Sequence, residues 1–176
     1  GNPNVGKSTL MNALVGEKLS IVTAKAQTTR HRIMGIVNGD DYQIVYSDTP
    51  GILKPNYRLQ KSMMDFVDTA IGDADIILYV TDTVEKGDKN DEYIAKLQKI
   101  ECPVILVINK IDKGEFDANE LHEPIMELFL ELGANDDQFD FKIIYASAKQ
   151  GWASLTPTAG ENLSPLLDTI LSEIPA

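Results

Sequence analysis

Residues 1–14 read Gly1-Asn2-Pro3-Asn4-Val5-Gly6-Lys7-Ser8-Thr9-Leu10-Met11-Asn12-Ala13-Leu14. The first eight satisfy the pattern G-x-x-x-x-G-K-S/T in full. Glycines in such a loop let the backbone bend until successive N–H groups face inward around an anion. The run from Lys7 to Leu14 predicts a helix stopped near Gly16, and its N-terminal dipole adds to the pull on a phosphate. Lys7 would then place a point charge between β- and γ-phosphates, and Ser8 would offer a hydroxyl to Mg²⁺. Gly1, Asn2, Pro3, Asn4, Val5, Gly6, Lys7, Ser8 and Thr9 are the candidate contacts of this loop. The same letters also suit a plain turn before a helix, so the rest of the chain has to decide.

Downstream, strand-length apolar runs alternate with helix-period segments, which predicts an α/β fold with a largely parallel sheet and helices on both faces. Strands are expected over 32–37, 42–47, 74–82, 102–110 and 141–147. The turn Asn38-Gly39-Asp40-Asp41 makes the first two an antiparallel hairpin. Helices are expected from about residue 57 to Gly72, over 89–100, over 121–132 with Gly133 as its stop, and over 163–174. Pro124 starts or kinks the third of these, and Ser164 caps the last, with Pro165 at its first position. In a fold of this kind the phosphate loop is the turn out of a central parallel strand. The 176 residues open on the loop itself, so that strand is not expected in the sheet, and its two neighbours should lose ladder partners.

Three further motifs follow predicted strands. Asp48-Thr49-Pro50-Gly51 ends one; its carboxylate can hold Mg²⁺ through water and the Gly51 N–H can meet a γ-phosphate. By itself it is also a good turn sequence. Asn109-Lys110-Ile111-Asp112 ends another, and Asp112 can accept two hydrogen bonds from guanine, a donor pair that adenine lacks. Ser147-Ala148-Lys149 ends the last strand; the Ala148 N–H could meet guanine O6 and Lys149 could lie along the base. Their order, at the carboxyl ends of strands, would bring all four segments to one crevice. An ATP-using enzyme is the alternative that Asp112 argues against, and a fold that keeps its motifs without binding nucleotide is another.

These motifs resemble those of the translation-factor-related GTPases, over essentially the whole chain. The stretches GNPNVGKSTLMNALVGEKLS, KAQTTRHRIMGIV and SDTPGILKPNYRLQ are similar to the Era family of bacterial ribosome-assembly GTPases. From about Ile111 onward, ELHEPIMELFLELGANDDQFDFKIIYASAKQGWASL and ENLSPLLDTILSEIPA look more like the TypA/BipA family of ribosome-binding translational GTPases, so a hybrid chain is one expectation. Both resemblances imply one G domain over 1–176 that binds GTP or GDP with Mg²⁺ and hydrolyses GTP. They imply that residues 17–31 form the first switch loop, with Thr29 closing on Mg²⁺ and γ-phosphate. Lys7, Thr29 and Gly51 would be the catalytic contacts; Ser8, Thr29 and Asp48 the Mg²⁺ contacts; Asn109, Lys110, Asp112, Ser147, Ala148 and Lys149 the base contacts. Ile52 stands where Ras-like enzymes carry a water-orienting glutamine, which implies slow intrinsic turnover. Asn4 matches the asparagine that ligates K⁺ in related potassium-activated GTPases. The resemblance places contact with 16S rRNA or the ribosome in domains outside these residues.

Composition narrows the rest. A net charge of −11 repels phosphate backbones, although Lys18, Lys25, Arg30 and Arg32 cluster in one early loop. No apolar run approaches the ~20 residues that span a bilayer. Cys102 is the only cysteine, which excludes an internal disulfide and fits a cytoplasmic setting; it reads as a half-buried structural thiol. His31 and His122 have no cysteine partners and make no zinc motif; His31 reads as solvated. Glu115–Glu131 reads as a solvated acidic helix face, and Trp152 as packing. A monomer is expected.

Overall fold

The computed structural model describes residues 1–23, 29–83, 100, 102–113 and 142–174. Along them run α1 (Lys7–Val15), β1 (Ile33–Asn38), β2 (Gln43–Asp48), α2 (Arg58–Gly72), β3 (Ile77–Asp82), β4 (Val104–Asn109), β5 (Lys142–Ser147), β6 (Trp152–Ser154) and α3, Ser164–Ser172. The helices expected over 89–100 and 121–132, with Pro124, Gly133, His122 and the acidic face, lie outside the described residues, as do all of 89–99 and 114–141.

β3, β4 and β5 are parallel neighbours, and β1 and β2 form the expected antiparallel hairpin. The sheet is divided: β1–β2 is one unit and β3–β4–β5–β6 another, with no pairing between β2 and β3 among the described residues. Gly1 stands at the division. Its carbonyl accepts the Ile52 N–H at 3.1 Å, and a Cβ on it would overlap the Val80 carbonyl.

One apolar core nevertheless spans both units. Tyr46 of β2, Val80 of β3, Ile105 and Val107 of β4 and Ile144 and Ala146 of β5 face Leu10 and Met11 of α1 and Leu166 and Ile170 of α3. The alternate residues of β4, Leu106 and Ile108, point the other way, toward Tyr145 and Trp152. α2 lies on that second face, where Met63, Met64 and Val67 bury against Ile52 and Tyr79. Strand alternation thus puts helices on both faces, as the pattern predicts.

Two elements differ from the sequence reading. β6 was not expected: it runs antiparallel to β5, pairing Ala146 with Ala153 and Ser147 with Trp152. The returning chain covers its other edge, where Ala153 N–H donates to the Asn162 carbonyl at 2.8 Å and Gly160 lies too close to Ala153 for a Cβ. Three residues are too few to carry a readable period. The cap of α3 also moves by one position. Leu163 is the capping residue, Ser164 is already helical, and the Asn162 carboxamide accepts the Ser164 N–H at 2.8 Å. Cys102 is half-buried and burial pushes its thiol pKa up, consistent with an inert packing role. No described helix is long and apolar enough to cross a membrane.

Tyr46 carries an unusual cost. Its side chain is buried in the main core, and its hydroxyl has no hydrogen-bond partner among the described residues. Burial, with a smaller contribution from Tyr42, pushes the phenol from 10.0 up to about 12. The folded state therefore holds this proton more tightly than the unfolded chain does. That contribution is complete below pH 10 and is lost as pH rises from 10 through 12. Tyr46→Phe should remove about 1–1.5 kcal/mol of alkaline destabilisation at pH 11 and add about 1 kcal/mol at neutral pH by deleting the orphan hydroxyl. Urea unfolding of both proteins at pH 8 and pH 11 checks this; equal losses in the two would contradict it.

Candidate nucleotide site

The loop before α1 has the backbone its sequence requires. Asn4 and Gly6 lie in the left-handed region, at φ 67° and 98°, and Gly6 caps α1 without a side-chain bond. The first intrahelical bond, from Leu10 N–H to the Gly6 carbonyl, leaves the N–H groups of the first turn without partners inside the helix. Those groups and the helix dipole make a site suited to an anion. Lys7 folds back across the loop: its ammonium donates to the carbonyls of Asn2 at 2.6 Å and Gly1 at 3.2 Å. Val5 is different, because its side chain is buried in the core and only its backbone serves the loop. Asn4 and Thr9 are brought to the same loop, Asn4 exposed and Thr9 half-buried.

The end of β2 delivers Asp48 against this loop. Asp48 Oδ2 accepts from the Ser8 hydroxyl at 2.6 Å and from the Thr29 hydroxyl at 3.3 Å, and the two hydroxyls are 3.0 Å apart. Asp48 is buried, yet its Oδ1 has no partner among the described residues. A buried carboxylate oxygen left bare beside two hydroxyls is the donor set a hard divalent cation takes, so Ser8, Thr29 and Asp48 fit Mg²⁺. Gly51 follows, packed on the loop so tightly that a Cβ would come within 2.5 Å of Pro3 N. Ile52 turns inward and is buried under α2.

A third segment joins through β4. The Asn109 carboxamide donates to the Val5 carbonyl and accepts the Ala148 N–H, each at 2.9 Å and both buried. The Ala148 N–H, expected to face a guanine oxygen, is therefore committed to Asn109 in this state. Lys110 adopts φ 62° and reaches back to the Asn4 carbonyl and to Asp82 Oδ2 at 2.7 Å. Asp112 and Lys149, on the loops that carry Lys110 and Ala148, are exposed, and Ser147 is buried.

Sequence reasoning passed over three side chains here. Asp82, at the end of β3, pairs with Lys110. The Gln60 side chain is buried and accepts the Asn56 N–H at 2.7 Å, fastening the start of α2. Asn12 bonds the backbone beyond α1. Their only sequence signal is a polar letter inside an apolar run or at a strand end. The basic cluster is also less free than its letters imply. Arg32 bonds Ser47 and Asp73, each at 2.6 Å, and exposed His31 meets the Phe66 ring edge-on at 5.4 Å; Lys25 lies outside the described residues.

Residues 1–110 match the family described as 50S ribosome-binding GTPase. The chain belongs to that family. It is 40% identical over 176 residues to GTPase Era of Clostridium botulinum strain Alaska E43, covering 99% of this chain and 54% of that protein. With GTPase Era of Clostridium beijerinckii it shares 48% over 118 residues, 66% of this chain and 40% of that one. Among solved structures, Era in complex with MgGDPNP and a 16S ribosomal RNA fragment superposes with TM-score 0.79 at 37% identity, over 100% of this chain and 55% of that one. Aquifex aeolicus Era bound to GDP and AlF4⁻ gives the same values. The fold is that of a P-loop GTPase G domain. The chain spans about half the length of the curated relatives it matches. Likeness to Era covers nearly the whole chain, and nothing in these matches supports the expected TypA/BipA-like last third or a hybrid.

Gly51→Ala should destabilise the protein by about 1–3 kcal/mol, because the added methyl meets the Pro3 backbone rather than a side chain that can turn away. A urea midpoint equal to wild type would show that the loop can yield.

Proposed function

We propose that these residues are one G domain that binds GTP and GDP with Mg²⁺ and hydrolyses GTP, in a protein acting as an Era-type switch in assembly of the small ribosomal subunit. The observation that carries the reading is the meeting of Asp48, Ser8 and Thr29 at the α1 N-terminus, with the same loop bonded to Asn109 and Lys110 two residues before exposed Asp112. The Era relatives, one of them solved with MgGDPNP and 16S ribosomal RNA, give it its biological setting. Contact with RNA belongs to parts of the protein outside these residues, in keeping with their charge of −11.

Hydrolysis of GTP is an in-line attack of water on the γ-phosphorus, with cleavage of the bond to the β-phosphate oxygen. Catalysis is mostly positioning and charge stabilisation. The α1 N–H groups and Lys7 hold the phosphate oxygens in place, and the Gly51 N–H meets the γ-phosphate. Ser8, Thr29 and Asp48 would hold Mg²⁺, which would supply positive charge against the phosphate oxygens. Asp112 accepts from the guanine edge, while Lys149 lies along the base. The attacking water receives no help from Ile52, whose side chain is apolar and packed beneath α2. Turnover without an activator is therefore slow, about 10⁻⁴–10⁻² s⁻¹.

Asp112→Asn should weaken GDP binding by about 10²-fold or more and shift preference toward xanthine nucleotides, because the amide cannot accept both guanine donors. Competition against labelled GDP reads both effects; an unchanged guanine preference would remove Asp112 from the site. Asn4, exposed at the lip of the loop, serves as a K⁺ ligand in this reading. K⁺ should then raise the hydrolysis rate over Na⁺ at equal ionic strength, and Asn4→Ala should abolish the difference. Identical rates in the two salts would exclude that role.

A further inference from the structure

Asn12 sits in the middle of α1, inside the run Leu10-Met11-Asn12-Ala13-Leu14. Asparagine is a poor helix former, and neither phosphate nor metal contact explains it. Its side chain makes three hydrogen bonds, all to the backbone beyond the helix. Nδ2 donates to the Ser20 carbonyl at 2.9 Å, while Oδ1 accepts the Leu19 N–H at 3.0 Å and the Ser20 N–H at 2.9 Å. Leu19 also lies over Gly35 of β1, where a Cβ would come within 3.0 Å of Leu19 and 2.7 Å of Val15.

The place of Asn12 on the helix gives these bonds a meaning. Ser8 and Asn12 are four residues apart and share one face of α1. Ser8 bonds Thr29, and Asn12 bonds Leu19 and Ser20. One helical face thus holds the backbone at residues 19–20 and the side chain at residue 29. We infer that Asn12 is a positioning residue: by fixing Leu19 and Ser20 it sets where the chain departs toward Thr29, and so helps bring the Thr29 hydroxyl to Ser8 and Asp48. This rests on the reading of Thr29 as a Mg²⁺ and γ-phosphate contact.

Ser20 supplies an opposing influence. Its hydroxyl is buried without a partner among the described residues. An orphan buried hydroxyl disfavours the state that buries it. Asn12 favours the arrangement and the Ser20 hydroxyl opposes it, so the two side chains should be separable by mutation with effects of opposite sign.

With the clamp, eight residues separate Ser20 from Thr29; without it, twelve separate Gly16 from Thr29. Misplacing a metal contact by a fraction of an ångström lowers whatever depends on it, so a fall of about threefold or more is expected in any quantity that needs Thr29 in place.

The test uses the chain as it stands, with Asn12→Ala, Asn12→Asp and Ser20→Ala. Alanine is the better helix former, so the first variant does not weaken α1 itself. Asn12→Ala should speed amide hydrogen exchange at Leu19 and Ser20, raise the Mg²⁺ concentration giving half-maximal GTP hydrolysis by about threefold or more, and leave GDP affinity within about twofold. Asn12→Asp keeps the acceptor for both N–H groups and should recover part of the loss. Ser20→Ala should shift the Mg²⁺ requirement the other way. In a Thr29→Ala background, Asn12→Ala should have no further effect on the Mg²⁺ dependence of binding a non-hydrolysable GTP analogue.

Three results would overturn the proposal. One is an unchanged Mg²⁺ requirement in Asn12→Ala. Another is a parallel loss of GDP affinity, which would make Asn12 a support of the phosphate loop instead. The third is an undiminished effect of Asn12→Ala without Thr29. Failure of the GTPase reading looks different: the wild-type chain would hydrolyse no GTP, while the exchange arm would still report whether Asn12 holds residues 19 and 20.

Discussion

The buried carboxamide of Asn109 holds together three loops that the chain keeps far apart. Its donor goes to Val5, 104 residues away, and its acceptor takes the N–H of Ala148, 39 residues on. Both bonds are out of water, where losing one partner costs about 1–3 kcal/mol because the other group stays buried and unpaired. The geometry is close enough that residue 6 has to be glycine: a Cβ there would lie 2.2 Å from Asn109 Nδ2. The phosphate loop and the base loops are thus set against each other by a bond in the core. Lys110 repeats the tie one residue on, with Asp82 as its counter-ion, and leaves Asp112 exposed where a ligand can reach it.

On the proposed reading, hydrolysis by these side chains would be slow. Tight binding needs the loops to hold still, whereas rapid hydrolysis needs a polar group aimed at the attacking water. Ile52 gives up that second requirement in favour of packing, since its side chain joins Met63, Met64 and Val67 beneath α2. The same side chain that would be catalytic in another enzyme here fastens α2 to the site. On the proposed reading, a cation at the loop or a group from a partner would supply what these side chains do not.

Much of this was legible in the sequence because it depends on local backbone chemistry. Gly6 and Gly16 mark the ends of α1, the Asn38-Gly39 turn marks the hairpin, and β3, β4 and β5 fall inside the predicted strands with trimmed ends. The motif loops were legible because each follows a strand of readable length. The bonds between loops were not. Nothing in the letters says that the Ala148 N–H goes to Asn109, that Asp82 pairs with Lys110, or that Asn12 reaches residues 19 and 20; each joins groups whose proximity exists only after folding. β6 escaped notice because three residues hold less than two full strand periods. The α3 cap moved from Ser164 to Leu163 because the Leu163 carbonyl accepts the Leu166 and Leu167 N–H groups, while the Asn162 side chain takes the Ser164 N–H and draws it into the first turn.

The division between β2 and β3 shows how much is asked of the phosphate loop. On one side lie Asp48, Thr29, α2 and the hairpin; on the other lie Asp82, Asn109, Asp112 and Ser147. No ladder bond joins β2 to β3 among the described residues, yet a single apolar core runs beneath both. Apolar contact is non-directional and permits small shifts of one sheet past another. Residues 1–8 make directional ties to both. Gly1 accepts from Ile52 and Ser8 donates to Asp48 on the first side; Val5 and Asn4 accept from Asn109 and Lys110 on the second. Bonds from this one short loop to Asp48 on one side and to Asn109 and Lys110 on the other set those side chains around it, so a ligand seated on the loop would meet residues held from both.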